Sequence, residues 1–366
     1  MTDLRLAPIA ERADPPATLP PLTAGGLSWR PATAADAADL LALRNAVAVA
    51  DDAPYRETEA EVADLFAASW RDFSTDSLLG YDEANVLRAY ALADTRPGDT
   101  GTVRAFLWGA VHPERRGEGI GREVLAWLVG RGRQLLAASG KDVPARLVTY
   151  AEDDAPGSQH RMFEHAGFEA RRFYSDLRRD LEVSVPDIRL GEGLRLVPWS
   201  PELDEPTRLA HNDAFRDHWG SEPQDTETWT SGRSEFAPAW SGLVLDTAPD
   251  VERLLGADDT DAETAASLRA GAPLVVGYQL ASRYDSDFDV RGYRFGYTDA
   301  LGVRRAYRGR RIAPALLSAA MRAFAADGMR YAVLDVDTAN PTGAAGLYAS
   351  LGYEKVSGSR MYSIEL

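Results

Sequence analysis

Two rhythms of apolar and polar residues run along this 366-residue chain, and both occur twice. In the first half, short apolar runs bounded by turn residues predict strands over 27–30, 86–92 and 102–111, and three- and four-residue apolar spacing predicts helices over 34–49 and around 59–70. A further helix follows, with Ile120, Val124, Leu125, Leu128 and Val129 on one stripe. The second half restarts with a strand over 194–197 and a helix over 206–215. Strands over 274–282, 293–303 and 331–337 follow, with a helix striped by Ile312, Leu316, Leu317, Ala320 and Phe324. Mixed strands and helices of this kind predict an α/β (α+β) sheet layered by helices.

The same phrase opens both striped helices. Val111-His112-Pro113-Glu114-Arg115-Arg116-Gly117-Glu118-Gly119-Ile120-Gly121 recurs 192 residues later as Val303 to Ala313, with Arg308-Gly309-Arg310-Arg311-Ile312-Ala313 at its end. Each copy runs a strand into a Gly-rich loop at a helix N-terminus, where backbone N–H groups and the helix dipole converge on an anion, most simply a pyrophosphate. A lone turn of this kind also closes ordinary strand-to-helix connections. Matching tails decide the case: Phe163-Glu164-His165-Ala166-Gly167-Phe168 and Tyr348-Ala349-Ser350-Leu351-Gly352-Tyr353 lie 185 residues apart. The chain therefore reads as a duplicated domain.

Composition narrows the chemistry. A net charge of −16 argues against a nucleic-acid or anionic-membrane partner and suits a cationic acceptor such as an amine. Cysteine is absent, which excludes a thiolate nucleophile or zinc-thiolate site, and no metal is expected. No apolar run approaches the ~20 residues that span a bilayer, so a cytoplasmic protein is expected, as monomer or homodimer. The expected layout is a Pro-rich arm over 1–26, a first domain over 27–182, a linker over 183–193 and a second domain over 194–366.

These motifs resemble those of the GCN5-related N-acetyltransferase (GNAT) superfamily, over nearly the whole chain twice. The family's loop is [Gln/Arg]-x-x-Gly-x-[Gly/Ala] after Val-x-Pro, followed by an Asn and then Leu-Tyr-x-x-x-Gly-[Phe/Tyr]. The resemblance implies two tandem domains, each a mixed, largely antiparallel sheet flanked by helices, and acetyl-CoA as cofactor. Its pyrophosphate would be held in copy one by Val111, Arg116, Gly117, Glu118, Gly119, Ile120 and Gly121. In copy two the counterparts are Arg308, Gly309, Arg310, Arg311, Ile312 and Ala313, with Leu301 and Val303 on the strand beside the pantetheine arm. Copy two departs at Arg305 and Arg311, where the family has Pro and Gly. It keeps Asn340 and Tyr348, which the resemblance makes a cofactor contact and a proton donor to the departing thiolate. Copy one has Ala155 and Phe163 there, and Phe cannot donate a proton. Copy two is therefore expected to be catalytic.

Transfer to an amine requires a neutral nitrogen, so a base must take its proton near neutral pH. Asp299, before the loop, and Asp335 and Asp337, alternating on the next strand, are candidates, each with a solvent-facing carboxylate as the alternative. Tyr348 has a buried core tyrosine as its alternative. Over 211–220, His211, Asp213, His218 and Trp219 are candidates for acceptor contacts, with both histidines on one face if the helix continues that far. Trp229 and Trp240 would line an acceptor pocket or pack in the core. The function expected is transfer of an acetyl group to a small-molecule amine; a non-catalytic acyl-CoA-binding protein is the competing possibility.

Overall fold

The computed structural model describes residues 6–257, 260–339 and 343–366. In chain order the first half builds α1 (Ile9–Ala13), β1 (Ser28–Arg30), α2 (Ala37–Ala50), α3 (Glu59–Ala67), α4 (Phe73–Asp76), β2 (Ser77–Tyr81), β3 (Leu87–Thr95), β4 (Val103–Val111), α5 (Ile120–Ala138), β5 (Ala145–Glu152), α6 (Gly157–His165) and β6 (Glu169–Asp180). The second half builds β7 (Leu194–Pro198), α7 (Asp204–Ala214), α8 (Thr226–Thr230), β8 (Gly242–Asp246), α9 (Val251–Leu255), α10 (Ala262–Arg269), β9 (Leu274–Ser282), α11 (Phe288–Arg291), β10 (Phe295–Val303), α12 (Ile312–Ala326), β11 (Tyr331–Asp337), α13 (Ala344–Ser350) and β12 (Glu354–Glu365). The acidic stretch over 257–263 lies partly outside the described residues.

Two compact units result, one comprising Met1–Tyr174, Ser231–Ser234 and Gly358–Leu366, the other Ser175–Thr230 and Glu235–Ser357. This division is not the one expected at 182 and 194. From Gly358 on, β12 belongs to the first unit, where it pairs antiparallel with β5 from Ser359 opposite Glu152 to Glu365 opposite Arg146. The second half of β6 instead lies beside β11 in the second unit. Both tails carry alternating strands of similar length after a matching Gly-aromatic pair, so the local pattern suits either sheet.

In the first unit the strand order is β1-β2-β3-β4-β5-β12. Its pairings are antiparallel except β4 with β5, which run parallel from Val103 opposite Ala145 to Phe106 opposite Val148. In the second unit the order is β6-β11-β10-β9-β8-β7, and β10 pairs parallel with β11 only from Phe295 to Tyr297. In both units the parallel strands run on past the point where their ladder stops, to Val111 and Glu152 and to Val303 and Asp337. The strands splay there, leaving main-chain groups of β10 unpaired on that side.

α12 covers one face of the second sheet. Leu317, Ala320, Met321 and Phe324 are buried against Ala332, Leu334 and Val336, and Ile312 and Leu316 pack on Val244 and Val276. The stripe read from the sequence is thus the buried one, and it fixes where the helix begins relative to the end of β10. Among the described residues no helix is long and apolar enough to cross a membrane.

Candidate active site

The second loop leaves β10 at Val303, turns through a short 3-10 segment over Arg305–Tyr307, and enters α12 after Arg311. Gly309 has φ +78° and Arg311 φ +60°. Gly119, the counterpart of Arg311 in the first unit, has φ +90°. The loop therefore keeps its left-handed turn without glycine, a conformation costing an ordinary side chain roughly 1–2 kcal/mol. The substitution expected to disturb the loop is absorbed as local strain. No side chain caps α12, so the N–H groups of its first turn point out at the loop, which carries Arg308, Arg310 and Arg311 as exposed cations.

The loop is braced from beneath. Asp213, near the end of α7, accepts a 2.9 Å hydrogen bond from the Arg305 N–H, and Arg308 donates to the Ala214 carbonyl at 2.8 Å. His211, one turn earlier, meets the Tyr278 hydroxyl at 2.6 Å and is buried. Burial and the charge of His218 push the His211 pKa down to about 4, so the ring is neutral near pH 7. Gly302 makes room for this pair, because a Cβ there would lie 2.4 Å from the Tyr278 ring.

A cavity of about 660 Å³ opens over the loop. Leu301, Val303, Arg308, Gly309, Arg311, Ile312 and Ala313 line it, and so do Tyr348, Leu347, Asp217 and His218. The second loop, the end of β10 and Tyr348 therefore share one chamber. Arg310 turns outward, its guanidinium 4.8 Å from the centre of the Tyr307 ring. Asn340 lies outside the described residues.

The residues proposed for acceptor contact divide differently from expectation. α7 ends at Ala214, His218 N–H bonds back to Phe215 in a turn, and Gly220 has φ +73°. His211 and His218 thus share no helical face, and Trp219 lies beyond the helix. His211 and Asp213 do not line the cavity, because one is committed to Tyr278 and the other to Arg305. Trp229 and Trp240 pack in the core.

Tyr348 is 8% exposed, and burial, with the nearby Asp335 charge, pushes its pKa up to about 12. It keeps its proton across the neutral range. Asp299 sits at an irregularity in the β9/β10 register between Thr298 and Ala300. Its carboxylate accepts from Ser282 at 2.5 Å and from Tyr284 at 3.2 Å. Burial outweighs these bonds and, with Asp335, raises its pKa to about 6. Asp335 accepts from Tyr297 at 2.8 Å and is itself raised by burial and by Asp176, which Ser357 contacts at 2.5 Å. Asp299 and Asp335 are both exposed residues, so crowding by the surrounding protein, rather than enclosure, sets their shifts. Asp337, two residues on, is buried and accepts from Ala339 N–H. Nothing in the sequence marked Asp176, Tyr297 or Ser282, which topology alone brings to this place.

The first unit repeats the loop with different partners. Val111 ends β4, Gly117 has φ +86°, Gly119 precedes the helix, and Ile120 and Gly121 form its first turn. Arg116 is held by Asp51 at 2.5 and 2.8 Å, and Arg115 by Glu118 at 2.8 and 2.9 Å. Phe163 is buried against Tyr362 and Phe168.

The model of the acetyltransferase (GNAT) family matches residues 212–353. A mycothiol acetyltransferase of Thermobispora bispora is 30% identical over 261 residues, spanning 69% of this chain and 73% of that protein. One from Streptomyces griseus is 28% identical over 300 residues, 81% of each. Among solved structures, a GCN5-related N-acetyltransferase from Sphaerobacter thermophilus shares the fold with a TM-score of 0.62 at 23% identity, over 95% of this chain and 97% of that one. A tandem GNAT protein from the clavulanic acid biosynthesis pathway does so at 0.63 and 16% identity, over 93% and 98%. The chain belongs to the GNAT acetyltransferase family. It is an N-acetyltransferase built from tandem GNAT folds.

Proposed function

We propose that the second unit acetylates a small-molecule amine with acetyl-CoA, using Tyr348 as general acid and Asp299 as general base. The observation that carries this reading is that the second loop and Tyr348 open into one cavity. The fit to a diphosphate is sound on the residues present: uncapped helix N–H groups, a left-handed turn that aims them, and Arg308 and Arg311 lining the cavity beside them. Leu301 and Val303, on the unpaired side of β10, line the cavity and would flank the pantetheine arm, with Val303 N–H available to the acyl oxygen. When bound, acetyl-CoA supplies an activated acyl group on sulfur.

Asp299 takes the proton from the acceptor ammonium, a task suited to a carboxylate whose pKa of about 6 approaches neutrality. As the new N–C bond forms and the C–S bond breaks, the nitrogen would shed its second proton to solvent while Tyr348 gives its own to the departing sulfur and then recovers one from solvent. The carboxylates of Asp176, Asp299 and Asp335 favour a cationic acceptor. A mycothiol-type acceptor is a specific version of this reading, supported by the names of the relatives.

Amine-dependent release of thiol from acetyl-CoA tests it. Tyr348→Phe is expected to lower kcat by about two to four decades while leaving acetyl-CoA affinity unchanged. A variant with unaltered kcat would remove Tyr348 from the mechanism.

A further inference from the structure

The two loops differ most in what lies on top of them. In the first unit the N-terminal arm runs along α5 towards the loop. Arg133 donates to the Ala13 carbonyl at 2.6 Å and Gln134 to the Pro16 carbonyl at 2.9 Å, so the arm is bound along the helix and does not dangle. At the helix N-terminus, Glu123 accepts from the N–H groups of Thr23 and Ala24 at 2.5 and 2.8 Å. Those bonds hold the Glu123 carboxyl below the usual range, so it is charged at neutral pH. From the other side, Arg115 donates to the Gly25 carbonyl at 2.7 Å.

The fit at the tip leaves no slack. Gly25 has φ +70°, and a Cβ there would lie 2.6 Å from Ile120 Cδ1. Ala24 Cβ stands 3.7 Å from where a Cβ on Gly119 would be. Gly119 is the residue whose left-handed turn aims the loop, so the arm packs directly beside that turn, while Arg116, Gly117 and Glu118 stay exposed. Charge acts in the same direction: Glu118 and Glu123 stand where the second loop has Arg310 and Ala315, and Arg116 is neutralised by Asp51. A diphosphate approaching the first loop meets a turn of backbone and two carboxylates; at the second it meets Arg308 and Arg311, which line the cavity.

We infer that the chain's own N-terminal arm closes the first loop to the cofactor, so that the full chain holds one acetyl-CoA, in the second unit. This rests on the assignment of the second loop as the acetyl-CoA site. Loop one matches the family motif in every position and loop two does not, so the motif alone would choose the other copy.

Calorimetric titration of acetyl-CoA into the full chain tests it. Wild type is expected to bind one equivalent, and Ala313→Glu none. In the Ala313→Glu background, Gly25→Val or Glu123→Ala is expected to make the arm cleavable by a nonspecific protease and to restore one weaker equivalent at the first loop. Two equivalents in wild type, or one remaining in Ala313→Glu alone, would show the first loop to be open beneath the arm. An arm that becomes cleavable without any binding returning, or one that stays protected in both arm variants, would also overturn the inference. Wild type that binds no acetyl-CoA at all would instead sink the function proposed for the second unit.

Discussion

Asp213 accepts the backbone N–H of Arg305 at 2.9 Å across 92 residues of sequence. In the first unit the corresponding position is Pro113, which has no N–H to satisfy. The departure of the second copy from the family's Val-x-Pro is thus matched by a partner for the donor it creates. The acidic residue read from the sequence as an acceptor contact is a brace for the loop.

That brace should be measurable. Asp213→Ala leaves the Arg305 N–H without its carboxylate, at a cost of about 1–2 kcal/mol. Thermal unfolding should show a lowered Tm, and KM for acetyl-CoA should rise by up to about tenfold with a smaller change in kcat. A change confined to the amine KM would return Asp213 to the acceptor pocket.

The raised pKa of Asp299 gives the reaction an acid limb. A general base works only when deprotonated, so kcat/KM should be retained above pH 6 and fall as pH drops through about 6. In Asp299→Asn the limb should vanish along with about two to four decades of rate at pH 7.5. Persistence of the same limb in that variant would assign the base elsewhere.

His211 makes stability pH-dependent in the same region by a separate route. Its pKa of about 4 in the folded chain lies below the ordinary value of 6.5, so the unfolded chain binds more protons between those values. The stabilisation is complete above pH 6.5 and is lost as pH falls towards 4, by at most about 3 kcal/mol. Tm should decline over that window in wild type and more shallowly in His211→Gln. Equal slopes would mean that burial does not hold His211 neutral.

Strands written as dense apolar runs were legible to the residue: 274–282 and 331–337 coincide with β9 and β11. The helix expected over 206–215 matches α7 to within a residue at its end, and the condition that it continue to His218 fails because the chain turns back at Phe215 and leaves through Gly220. The destination of the two tails was hidden for a different reason. β6 and β12 carry the same kind of pattern, and only three-dimensional pairing shows that β12 joins β5. The loops, Tyr348 and Asp299 were visible as motif and strand position. Their supports, Tyr278, Tyr297, Ser282 and Asp176, come from distant segments and have no local signature.

In the proposed function the second loop, despite its poorer match to the family motif, is the working one. The most direct measurement is amine-dependent thiol release from acetyl-CoA by Ala313→Glu and Gly119→Glu, each placing bulk and negative charge at one loop. Ala313→Glu should abolish turnover while Gly119→Glu retains it. Loss of turnover in Gly119→Glu with Ala313→Glu still active would contradict the account and make the first unit the catalytic one.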